Sequence, residues 1–341
     1  MRVVVTGANG AIGRHVVGRL SQMEEVDELV PLDRAADPDD AFDLLEDDLV
    51  AVLQPHDVVV HLASSPLRFA GEQSAARNDR EIAARLFEAA TASGVGQVVL
   101  ASSAMVYGAW ADNPIPLTEA APIRPNPEFR FGAIRAEIEQ MGRDWAEVTG
   151  ASLSILRAAT TLARGRENGL ANLLHSSASL RNTEGDAPAQ FLHAEDFAKA
   201  VEILVLGQHE GVFNVAADGW LRPSEVVALR GTPETPLRAP SFVISAVSEG
   251  RRRLGASTHP GLTPYLQHSW VVANDRLKAL GWKPEFSNEE AYVAGHRPSV
   301  FDGITAKRRQ ELSLGVAGAA SAAGAFGLLW LLARLWRRWR R

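Results

Sequence analysis

The chain has 341 residues, with 35 Lys+Arg against 41 Asp+Glu and a formal net charge of −6. Its 46% hydrophobic and 22% charged residues exclude a disordered chain. Zero cysteines exclude disulfides, thiolate metal sites and a cysteine nucleophile. From Lys307 onward there are eight basic residues and one acid, Glu311, whereas residues 1–306 hold 27 basic and 40 acidic side chains, a net of −13. An acidic body without a basic stripe argues against a nucleic-acid partner. The nine histidines show no HExxH spacing, so no metal site is expected.

MRVVVTG is too short and too early broken by glycine to be a secretory signal. Arg2 to Thr6 reads as a buried parallel strand, and AIGRHVVGRLSQM reads as a helix from its apolar spacing. Between them, Gly7, Gly10 and Gly13 form GxxGxxG. Gly7 suits a tight turn, Gly10 a close approach to a pyrophosphate, and Gly13 close helix–strand packing. The helix N-terminus adds free N–H groups and a positive dipole. A second strand, ELVPL, ends at Asp33, about twenty residues beyond the turn, where a ribose-binding acid is expected. A carboxylate there favours NAD and repels the 2′-phosphate of NADP, although Arg34 keeps NADP open as the less favoured cofactor.

The alternation continues with DVVVHLAS (a strand), EIAARLFEAATASG (a helix), QVVLASS, FGAIRAEIEQMGRDWAEVTG and ASLSILRA. Alternating βα units predict an α/β fold, a Rossmann-type doubly wound parallel sheet with ligands at its carboxyl edge. A further strand is expected within RAADPDDAFDLLEDD, where the segment is short and acidic. We expect a dinucleotide-binding domain over 1–160 and a smaller substrate lobe over 161–300, interleaved with the first. A membrane-associating helix with a basic tail is expected over 307–341.

TGANGAIG, Asp33, HLAS, SSAMVYG, QFLHAEDFAKA with GVFNVAADG, and RLKALGWKPEFSNEEAY together resemble the extended short-chain dehydrogenase/reductases. The resemblance is specifically to the NAD-dependent epimerase/dehydratase family, in a bacterial subgroup similar to UDP-glucose 4-epimerases. It covers roughly residues 1–296. It places Gly7, Gly10, Ala11, Ile12 and Gly13 at the pyrophosphate, Asp33 and Arg34 at the adenosine ribose, and Asp43 and Leu44 at the adenine. Ala63 and Ser64 would line the cofactor, with Asn78 supporting them from the following helix. Ser103 matches the catalytic Ser/Thr that orients a substrate oxygen. A nucleotide-sugar ligand is implied.

The family's YxxxK pair is where the chain departs. In the family the tyrosine exchanges a proton with substrate, while the lysine holds the nicotinamide ribose and lowers the tyrosine pKa. Here Phe131 stands for tyrosine and Arg135 for lysine. Phenylalanine has no proton to exchange, whereas Arg135 remains a cation able to bind ribose. No register slip restores the motif, since Tyr107, Tyr265 and Tyr292 are followed four residues on by Ala111, Ser269 and His296. Thr160 stands where nucleotide-sugar enzymes commonly carry asparagine, and Arg251, Arg252 and Arg253 could supply an anion site, although such a run is more often a solvated face. His193 and Asp196 resemble a largely architectural landmark, with Asp196 expected to cap the following helix. Tyr107 is expected to pack.

Leu312 to Ala333 is uncharged over 22 residues, about 33 Å as a helix and long enough to cross a bilayer core. Its Ala, Gly and Leu content makes its hydrophobicity marginal. Gly315, Ala319, Ala323 and Gly327 form a small-xxx-small stripe that would let two helices approach, which leaves room for a homodimer. Trp330, Trp336 and Trp339 stand among five arginines, a composition suited to anionic lipid. Membrane association through 312–341 is therefore expected, with the NAD-binding body in the cytoplasm. A spanning helix would place those arginines against the positive-inside tendency, and an in-plane helix would not. Two functions fit the sequence: an NAD-dependent nucleotide-sugar epimerase or oxidoreductase with an altered proton carrier, or a membrane-tethered NAD-binding pseudoenzyme acting as scaffold or sensor.

Overall fold

The computed structural model describes residues 1–34, 41–65, 72–163, 187–229 and 260–295. Strands β1 (Arg2–Thr6), β2 (Glu28–Leu32), β3 (Val58–His61), β4 (Gln97–Ser103), β5 (Ser152–Ala158) and β8 (Gly211–Val215) form a parallel sheet in the order β2-β1-β3-β4-β5-β8. Strands β6 (Thr160–Leu162) and β7 (Phe191–His193) pair separately, also in parallel.

The continuous β-branched runs are buried because helices cover both sheet faces. Side chains alternate along a strand, so Val3, Val5, Val58, Val60 and Val99 share one face. They pack with Val16 and Leu20 of α1 (Gly13–Leu20) and with Phe197, Val201 and Leu204 of α5 (Ala194–Leu206). Val4, Val59, Val98 and Leu100 face the other way, toward Ala83, Leu86 and Phe87 of α3 (Glu72–Ser93) and Ile138 and Trp145 of α4 (Arg130–Thr149).

Between β2 and β3, residues 41–48 contain turns and no strand, and α2 (Leu49–Val52) follows with the Asp48 side chain capping it. The strand expected in the acidic stretch is therefore absent from 41–48, where four Asp and Glu residues bend the chain through local bonds such as Leu45 N–H to Asp43 Oδ1. Residues 35–40 lie outside the described residues. The order of strands reverses between β1 and β3, so the crevice for a ligand opens where those two strands end, at Thr6–Gly7 and His61–Ala63.

The chain divides into one compact unit of Met1–Val226 with Pro236–His296 and a second of Val227–Thr235 with Arg297–Arg341; the site belongs to the first. The 307–341 segment, residues 169–181 and Arg251 to Arg253 lie outside the described residues. Among the described residues, no helix is long and apolar enough to cross a membrane.

Candidate cofactor and substrate site

The turn after β1 is built around glycines. Gly7 has φ +73°, and a Cβ there would lie 2.8 Å from the Ala63 backbone nitrogen. At Gly13 a Cβ would lie 2.1 Å from the Gly7 carbonyl oxygen, so α1 can begin against the loop only without a side chain. Ile12 is the N-cap of α1 and no side chain caps the helix. The backbone N–H of Asn9 donates to Asp33 and that of Gly10 to the Gly7 carbonyl, whereas those of Ala11, Ile12 and Gly13 have no acceptor among the described residues. Three open amides at a helix start, backed by glycine, fit a pyrophosphate at the positions the sequence proposes.

Asp33 directly follows β2, and its Oδ2 accepts from Asn9 N–H at 2.8 Å, which fixes the carboxylate beside the glycine loop. Arg34 is exposed, and its guanidinium lies 3.6 Å from Asp43 Oδ2. Asp43 Oδ1 accepts from Leu45 N–H at 3.0 Å, and Leu44 is buried in the core. These residues fit an adenosine-side wall next to the pyrophosphate loop.

The opposite wall is a connected polar cluster. Thr6 Oγ1 and His61 Nδ1 lie 2.8 Å apart, and Thr6 Oγ1 accepts from Ala63 N–H at 3.4 Å, holding the chain after β3 against the end of β1. Burial, and then the nearby Arg135 charge, lower the His61 pKa to about 3, so this ring is neutral at physiological pH. Beyond Ala63, Ser64 Oγ donates to Asp79 Oδ2 at 3.2 Å, and Ser65 N–H donates to Asp79 Oδ1 at 2.6 Å. Arg135 donates from Nη2 to Ser64 Oγ and, at 3.0 Å, to Asp79 Oδ2. Arg135 and Asp79 are each about 95% buried, so this ion pair is desolvated. Burial lowers the arginine's pKa, and the Asp79 charge opposes that.

Asn78, the residue singled out by the family resemblance, is half-buried, and its side chain has no hydrogen bond to a described residue. Its neighbour Asp79 supplies the α3 contact. One residue is a rotation of about 100° on a helix, so the two side chains leave α3 in different directions.

Phe131 lies one turn before Arg135, whose Cζ is 5.2 Å from the Phe131 ring centroid. Ser103 ends β4, its Oγ accepts from Met105 N–H at 3.2 Å, and its hydroxyl proton has no acceptor among the described residues. Each of the three tyrosines is engaged within the protein. Tyr107 donates to Asn214 Oδ1 at 2.8 Å and accepts from Arg157 at 2.9 Å, a bonded role rather than the simple packing expected. Tyr265 donates to the Met105 carbonyl at 3.1 Å, and burial raises its pKa. Tyr292 is 1% exposed and edge-on to Phe191.

Asp196 corrects the sequence expectation. The α5 cap is His193, which accepts from Glu195 N–H, whereas Asp196 accepts from Glu285 and Phe286 N–H at 2.8 and 3.1 Å and ties a distant loop to the helix. The carboxylate was legible as architectural, but its long-range partners had no sequence signal. Thr160 opens β6, and its buried Oγ1 lacks a partner among the described residues. No group of three or more His, Cys, Asp or Glu positioned for a metal occurs among the described residues.

A parallel sheet reversing at a glycine-lined turn, with open amides and an acid after the second strand, defines a dinucleotide-binding protein. The sequence model of the NAD dependent epimerase/dehydratase family matches residues 3–216. The chain belongs to that family, and NAD is its cofactor. It is 28% identical to a UDP-glucose 4-epimerase of Azospirillum brasilense over 93% of this chain and 95% of that one. It is 27% identical to an uncharacterized protein of Mycobacterium tuberculosis over 85% of this chain and 82% of the other. The fold is similar to a Thermus thermophilus UDP-glucose 4-epimerase in complex with NAD, with TM-score 0.64 and 21% identity over 89% of this chain and all of that one.

Proposed function

We propose that this protein binds NAD and a nucleotide sugar but does not epimerise sugars by phenol-mediated proton exchange. The observation carrying this is Phe131 at the family tyrosine position, with Arg135 in an ion pair with Asp79. The similarity to UDP-glucose 4-epimerases supports the ligand class. Gly7, Gly10 and the Ala11–Gly13 amides would hold the pyrophosphate, Asp33 the adenosine ribose, and Ala63, Ser64 and Arg135 the nicotinamide side. Bound NAD supplies a two-electron acceptor. On this chain, the hydroxyl of Ser103 orients a sugar oxygen, and no described phenol takes its proton.

The alternative, an active oxidoreductase, would rest on Ser103 with water as proton carrier. The test is calorimetric binding of NAD and UDP-glucose to the detergent-solubilised full chain, paired with turnover of UDP-glucose and UDP-galactose. Binding without turnover is expected, and robust turnover would sink the proposal. The 312–341 segment supports a tether to anionic membrane, with the NAD-binding body on the cytoplasmic side. Co-sedimentation of the full chain with anionic vesicles, lost on truncation after residue 306, tests it; equal sedimentation of both forms would refute it.

A further inference from the structure

The Asp79 carboxylate uses both oxygens. Oδ1 accepts from Ser65 N–H, and Oδ2 accepts from Ser64 Oγ and from Arg135 Nη2. Arg135 spends that same nitrogen on Ser64 and Asp79, while its Nε and Nη1 have no hydrogen-bond partner in the protein among the described residues. The pair is therefore a fixed unit: carboxylate, serine hydroxyl and guanidinium joined in a triangle, beside the Phe131 ring. Two opposite charges 3.0 Å apart act on their surroundings as a dipole. A cation with its counter-ion in contact does little to acidify a neighbouring phenol.

We infer that Asp79 is a positioning and charge-cancelling residue, which clamps Arg135 onto the Ser64–Ser65 turn and removes its charge from the environment of position 131. The inference rests on the proposed loss of proton exchange and deepens it. Restoring tyrosine at 131 then supplies a phenol without the cationic field that would activate it. Asp79 acts through Arg135 and the turn.

The test is a tyrosinate absorbance titration of the full chain carrying Phe131→Tyr, differenced against the same background with Phe131 retained. Neither NAD nor sugar enters, so turnover by the unaltered protein would overturn the proposed function without touching this measurement. With Phe131→Tyr alone, the new phenol is expected to titrate at or above the ordinary value of about 10. Adding Asp79→Asn should lower it by about one to two pH units by exposing the Arg135 charge. Adding Arg135→Gln as a third change should return it. A purely structural role for Asp79 would not produce that reversal. A shift below about half a unit on adding Asp79→Asn, or no return in the triple variant, would overturn the inference. Should Asp79→Asn fail to fold, the single variant still decides: a phenol titrating below about 9 would show the cation uncompensated.

Discussion

His61 makes the stability of the cofactor crevice depend on pH. The imidazole is 1% exposed between Thr6 and Arg135, and its pKa falls from 6.5 to about 3. Below the unfolded value the unfolded chain takes up a proton that the folded chain refuses. Stability is therefore present above pH 6.5 and is lost progressively as pH falls toward 3. Between about pH 7 and about pH 5, one such histidine costs about 2 kcal/mol, a figure insensitive to the exact folded value so long as that stays well below 5. The comparison is between the parent and His61→Asn, in which an amide can still meet Thr6 but does not titrate. Urea unfolding followed by tryptophan fluorescence at both pH values gives the difference, with all other titrating groups common to both proteins. The parent should lose about 2 kcal/mol more than the variant on acidification. Equal losses, within about 0.5 kcal/mol, would refute the argument that this buried ring stays neutral.

Two substitutions test how the crevice is built. Gly13→Ala puts a Cβ 2.1 Å from the Gly7 carbonyl, so it should destabilise by about 1–3 kcal/mol and weaken NAD binding at least about tenfold. Gly18→Ala, on the same helix with open space around it, should instead stabilise by up to about 1 kcal/mol, and thermal unfolding with and without NAD separates the two. Glu139→Gln removes the charge facing buried Arg157 at 2.6 Å and should cost about 3–5 kcal/mol in a denaturant titration; a loss under about 1 kcal/mol would show that the pair is not holding α4.

The parallel strands and the glycine turn were legible because their physical requirements are local. Val3–Val5 and Val58–Val60 advertise burial on two faces by having no polar alternation, and Gly7 and Gly13 stand where any side chain would collide with backbone. Asp33 was legible by its distance from that turn. Asp79 was not, because its meaning depends on which face of α3 meets Arg135 from α4, a relation between residues 56 positions apart. The same holds for Asp196, which reads as a helix-capping acid locally and holds the Glu285–Phe286 backbone in the folded chain. The absence of a strand in 41–48 also follows from tertiary placement: β3 pairs directly with β1, so the sheet core closes without that segment.

Phenylalanine at 131 and arginine at 135 are compatible with the fold because α4 is anchored elsewhere. One turn beyond Arg135, Glu139 is fully buried and accepts from Arg157 on β5, Ser102 on β4 and Arg143 on its own helix. Arg157 in turn donates to Tyr107, which donates to Asn214 on β8. This network sets the axial position and rotation of α4 from three strands, with no contribution from residue 131. Phe131 still offers an apolar ring, and Arg135 still offers a cation paired within reach of Ser64. The cofactor crevice depends on the glycine turn, Thr6, His61 and the α4 anchor, whereas the proposed loss of proton exchange concerns a single phenol oxygen and the charge beside it. The two are separable, because no hydrogen bond that holds the crevice passes through the Phe131 side chain.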